Sequence, residues 1–98
     1  MTPELENAVT ETERTVDILR RSSCDRWAAE LEQHLAGVLS ADRYTQKEEL
    51  FHIGEFCHPK ALGDANVTAI DSQAWQAQLE RLHDICARAF NMLERATA

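Results

Sequence analysis

Apolar residues recur along this chain every three or four positions, and short polar stretches separate the runs. Leu5, Val9, Thr12, Val16 and Leu19 form the first stripe, with Ala8 and Ile18 widening it. That spacing places them on one face of a helix. Thr2 and Pro3 supply its start, since threonine caps free N–H groups and proline in the first turn leaves none unsatisfied. Glu4 and Glu6 suit the positive end of the helix dipole, Arg20 and Arg21 suit the negative end, and Ser22-Ser23 closes the run. A second helix is predicted from about Cys24 to Leu39, with Ser23 as its cap and Trp27, Leu31, Leu35, Val38 and Leu39 as its stripe. Gly37 weakens it by about 1 kcal/mol relative to alanine but permits a close helix contact.

The third helix is expected to start at Thr45, which forms a capping-box pattern with Glu48. Leu50, Phe51, Ile53, Gly54 and Phe56 follow, an apolar density that predicts a rather buried helix. His58-Pro59 should stop it, because proline excludes the residue before it from the helical region. Residues 58–71 are the longest connection, about fourteen residues, and loops of that length in small domains often carry function. Leu62 is expected to plug into the core and Gly63 to take a positive φ. Val67, Ala69 and Ile70 are expected to pin the rest, with one short extended stretch. The last helix begins near Asp71-Ser72, where Trp75, Leu79, Leu82, Cys86, Ala89 and Leu93 give the strongest periodic signal in the chain. The pattern predicts an all-α fold, an antiparallel four-helix bundle spanning residues 1–98 as one domain with a long loop before the last helix.

Composition narrows the function. The net charge of −7 comes from ten basic and seventeen acidic side chains. Such a surface repels phosphate backbones and attracts basic partners, so nucleic acid is disfavoured and a protein partner with a basic surface is favoured. The acid excess falls in residues 1–71, so the acidic side is expected on the first three helices. No apolar stretch approaches the roughly 20 residues needed to span a bilayer. Cys24, Cys57 and Cys86 are an odd, dispersed set, as expected of free thiols. With no basic region and apolar run in MTPELENAV, these features predict a cytoplasmic protein.

Chemistry is sparse. His52, Cys57 and His58 cluster near the end of the third helix, and His83 and Cys86 share a face of the fourth, so the five could approach a zinc ion. None has a strict zinc spacing, and a cysteine in an apolar seam is more often a buried small hydrophobe, so no metal or cofactor is expected. A Cys57 nucleophile lacks a glycine-rich oxyanion hole, and the paired carboxylates Glu11 and Glu13, Glu30 and Glu32, and Glu48 and Glu49 read as solvated acids. The chain is therefore not expected to be an enzyme. Trp27 and Trp75 read as core anchors.

The run Phe56-Cys57-His58-Pro59-Lys60-Ala61-Leu62-Gly63-Asp64, with Trp27 upstream and Trp75 downstream, resembles a family of small bacterial all-α proteins. In that family an aromatic residue, a glycine-rich turn, a hydrophobic residue and a terminal Gly-Asp or Asn-Asp pair follow the third helix. Phe56, Leu62 and Gly63-Asp64 match those positions, whereas Cys57, His58 and Lys60 depart from the glycine-rich form. In size, charge and class the chain is similar to the acidic immunity proteins that neutralise interbacterial toxins. The resemblance implies a non-catalytic protein that binds and occludes a cognate toxin domain. Glu48, Glu49 and Glu55 on the third helix and His58, Lys60 and Asp64 in the loop are the expected contact residues. The alternative is a helical adaptor or homodimeric regulator working through an exposed last-helix stripe, with a small metal-binding protein third.

Overall fold

Thr2 caps the first helix as its sequence dictates: its Oγ1 accepts a hydrogen bond from the Leu5 N–H at 3.4 Å, with Pro3 in the first turn. The computed structural model describes residues 1–58 and 60–97. They form α1 (Pro3–Arg21), α2 (Asp25–Val38), α3 (Arg43–Phe56) and α4 (Ser72–Thr97), with a 3-10 turn at Leu62–Asp64. α1 and α3 each pack on both α2 and α4, so the helices close into a ring. The connections at 22–24 and 39–42 are too short for anything but antiparallel neighbours. The molecule measures 41 × 22 × 21 Å. α4, with 26 residues at about 1.5 Å each, runs the length of the long axis.

The helix ends differ from the sequence reading in two places. Ser23 does not cap α2. It has a φ of 60° and ends α1 instead, its N–H donating to Arg20 O at 3.1 Å while the Cys24 N–H donates to Leu19 O at 2.8 Å. This pair of bonds is a Schellman closure, which needs one residue in the left-handed region. Cys24 is the N-cap of α2 and makes no side-chain capping bond. α3 starts two residues before the expected Thr45, because Asp42 is the better cap. Its carboxylate accepts from the Thr45 hydroxyl at 2.6 Å and the Thr45 N–H at 3.1 Å. Those bonds, the hydroxyl foremost, hold the Asp42 carboxyl below its ordinary value of 3.8.

The core contains most of the residues the periodicity selects, but Leu39, expected on the α2 stripe, is 54% exposed beyond the helix end, and Val9 and Trp27 are only partly buried. Leu5, Ala8, Val16 and Leu19 of α1, Ala28, Leu31, Leu35 and Val38 of α2, and Trp75, Leu79, Leu82, Cys86, Ala89 and Leu93 of α4 are all buried. Thr12 and Thr15 join them without leaving a hydroxyl unpaired, since each donates to the carbonyl four residues back, at 2.7 and 2.8 Å. Glu11, read from sequence as a solvated acid, is buried. It pairs with Arg14 at 2.9 Å, lies 3.7 Å from Arg81, and accepts from Gln78 Nε2 at 3.2 Å, so it ties α1 to α4. Gln46, also buried, donates through Nε2 to Val38 O at 3.0 Å and Ser40 O at 2.7 Å. It thereby satisfies carbonyls left open where α2 ends.

The long connection crosses the end of the bundle where α1 and α3 finish and α2 and α4 begin. Leu62 is fully buried as expected, and Trp75 Nε1 donates to its carbonyl at 3.1 Å. Ser22 Oγ accepts from the Thr68 and Ala69 N–H groups at 3.1 and 3.0 Å, holding the loop onto the α1–α2 turn. Val67 and Ile70 pack on the core, while Ala69 is exposed. One expectation for this segment changes: Gly63 does not take a positive φ, because it sits inside the 3-10 turn. α3 ends at Phe56, just ahead of His58, Ala65 is extended, and no strand forms among the described residues. Pro59, the expected stop, lies outside the described residues.

Candidate binding groove between α3 and α4

α3 is not the buried helix its apolar density predicts. Only Gln46, Leu50 and Ile53 are buried, and they form a narrow inner stripe. Phe51, one position past Leu50, is turned outward and is 54% exposed; Tyr44, seven residues earlier on the same stripe, is 71% exposed. A helix with apolar residues at 50, 51, 53 and 56 has more apolar circumference than one interface covers. Phe51, though not Tyr44 or Phe56, lies along a groove of about 830 Å³ between α3 and α4.

Leu50, Leu79 and Cys86 contribute to its lining from the core, and Phe51, Phe90 and Ala87 from the outer parts of the two helices. The Phe51 and Phe90 rings stand 6.4 Å apart, tilted by 48°. Lys47 Nζ lies 5.8 Å from the centre of the Phe90 ring and pairs with Glu94 at 2.8 Å. Gly54 opens the groove in the middle: a Cβ there would meet only His83 Cδ2, at 3.8 Å. Glu55 on the α3 wall and Glu80 on the α4 wall are its acidic groups, accompanied by His58 and His83, and the described lining contains no lysine or arginine.

The six residues expected to make contacts separate into three groups. Glu48 and Glu55, seven apart, are exposed on the same outer stripe as Phe51, and Glu55 and His58 line the groove. Lys60 and Asp64 are exposed in the turns beyond α3 and do not line it. The Lys60 N–H donates to His58 Nδ1 at 3.2 Å. Glu49 faces α2. Its Oε2 lies 2.5 Å from His34 Nδ1, and its aliphatic stem lies over Gly37. It is an internal contact between helices.

The histidines and cysteines likewise divide. His52 stacks on His34, with centroids 5.5 Å apart, on the α2 side of α3, while Cys57, His58, His83 and Cys86 line the groove on the other side. Among the described residues no three histidine, cysteine or acidic side chains are grouped to hold a metal. Burial pushes the Cys57 thiol from its ordinary 9.0 up to about 12. It does the same to Cys86, helped by Cys57 nearby and opposed by a hydrogen bond with Thr12. Neither thiol is primed as a nucleophile. Trp75 is a core anchor, and Trp27 is half-buried, edge-on to Phe56 at 5.4 Å.

The residues that the sequence reading missed are Phe51, Phe90, Gly54 and Glu80. Phe51 reads from sequence as part of a buried face, and a helical wheel marks an apolar surplus without saying which residue is left uncovered. No helix among the described residues is long and apolar enough to cross a membrane. Comparison of the chain with family models, with curated proteins and with solved structures returned no significant match.

Proposed function

We propose that this protein is a non-catalytic binding domain that engages a basic protein partner and acts by occlusion, as immunity proteins do to toxins. The observation that carries this reading is the α3–α4 groove, where exposed Phe51 and half-buried Phe90 flank an opening whose described lining holds carboxylates and no lysine or arginine. Aromatic anchors in a groove lined by carboxylates, with Lys47 beside Phe90 neutralised by its pairing with Glu94, supply what a partner-binding surface needs: apolar contact at the centre and steering at the rim. Burial keeps the Cys57 and Cys86 thiols protonated, and Glu11 and Glu49 are engaged by Arg14 and His34, which leaves the two acids to packing.

The test is affinity capture from cells that encode the protein, comparing wild type with Phe51→Asp. The expected result is one polypeptide retained by wild type, lost with Phe51→Asp, and inhibited by stoichiometric addition of the purified domain. A retained polypeptide whose activity is unchanged by saturating domain would end the occlusion reading.

A further inference from the structure

We infer that the α3–α4 groove receives an amphipathic helix of the partner, with basic residues on both edges of its apolar stripe. This deepens the proposed function and rests on it. The first argument is shape. The groove follows α4 from Gln76 to Asn91, through positions 76, 79, 80, 83, 87 and 90, which form one stripe over about four turns. At 1.5 Å per residue that track is about 22 Å long, the length of a helix of about fifteen residues. α3 supplies the opposite wall, so the occupant would lie along two antiparallel helices as a helix laid into a hydrophobic groove does.

The second argument is local fit. Helices approach closely where one of them lacks a side chain, and Gly54 provides that gap between the walls, with only His83 in contact range of a Cβ there. Phe51 and Phe90, in contact with each other, then supply an apolar surface beside an apolar side chain inserted over Gly54. The third argument is charge. Glu55 stands on one wall and Glu80 on the other, with Glu48 exposed further along the α3 stripe. An occupant satisfying both walls carries lysine or arginine on each side of its apolar face. A second copy of this chain fits poorly, because its net charge of −7 would set acid against acid.

The probe is a labelled synthetic helix of about sixteen residues, with leucines at helical spacing and lysines on both flanks. Two controls accompany it, one with glutamates for the lysines and one with a central proline. Binding is read by fluorescence anisotropy and by amide chemical shifts of the ¹⁵N-labelled protein. The lysine helix should shift the Gly54, His83 and Ala87 signals, and both controls should bind at least about tenfold more weakly. Glu55→Lys with Glu80→Lys, and separately Gly54→Trp, should weaken the lysine helix by a similar factor while the melting profile stays cooperative. Equal binding of the glutamate or proline control, shifts confined to other surfaces, or no shifts at millimolar peptide would each overturn the inference. Capture of the inhibited partner by Gly54→Trp as well as by wild type would remove the groove and leave occlusion standing. Groove binding of the lysine helix with no inhibited partner would do the reverse.

Discussion

Gly37 lies directly beneath Glu49: a Cβ on Gly37 would collide with the Glu49 Cγ, and the carboxylate beyond it contacts His34. The close approach of α2 to α3 thus depends on a missing side chain. Gly37 and Gly54 are both helical, yet only the first is needed for packing. Gly37→Ala should destabilise the protein by about 1–2 kcal/mol despite alanine's better helix propensity, since Glu49 must leave its place and release His34. Gly54→Ala should stabilise it by about 0.5–1 kcal/mol, because its φ is not positive and the added methyl meets nothing closer than 3.8 Å. Urea denaturation of the two variants should give shifts of opposite sign.

The connection before α4 is anchored to the core at Leu62. Leu62 is fully buried, and its carbonyl takes the Trp75 indole N–H. Leu62→Ala should cost about 2–5 kcal/mol, the range for a core leucine. Trp75→Phe should cost about 1–3 kcal/mol from the orphaned carbonyl and lost volume. Hydrogen exchange at the Thr68 and Ala69 amides, which donate to Ser22 Oγ, should accelerate in Ser22→Ala.

Alkaline pH should unfold the protein earlier than its surface acids alone would suggest. In the folded chain the Cys57 and Cys86 thiols keep their protons to about pH 12, against an ordinary value of 9.0. Between those values the unfolded chain has lost protons that the folded chain keeps, so this contribution is fully present below pH 9 and lost as pH rises toward 12. Denaturation midpoints should fall across that window, and Cys57→Ser should flatten the fall. At pH 8 both thiols stay protonated in the folded chain. Alkylation of the native protein should therefore stop short of Cys57 and Cys86 until denaturant is added.

Charge reversal should separate a binding acid from a structural one. Glu48→Lys with Glu55→Lys should leave stability nearly unchanged and weaken a basic partner about tenfold or more at low salt, with the difference shrinking as salt screens the surface. Glu49→Lys should instead lower the melting temperature, because it sets a lysine against His34 and Gly37. Calorimetry and binding measured side by side on the two variants would check both.

Much of the bundle was legible because each decisive signal is local. The Thr2-Pro3 start, the α4 stripe from Trp75 to Leu93 and the burial of Leu62 follow from spacing and residue type, which the chain carries without reference to its neighbours. Tertiary structure decided what depends on which face meets which helix. Asp42 displaced Thr45 as a cap because a carboxylate three residues upstream could reach both Thr45 donors. Glu11 and Glu49, which look like solvated acids in a one-dimensional reading, are turned inward by the rotation of α1 and α3 and meet Arg81 and His34 across a helix boundary. The same rotation turns Phe51 outward beside Phe90 and leaves Gly54 uncovered. Period and composition set how many apolar residues a helix carries; only the packing of α3 between α2 and α4 selects which of them remain uncovered.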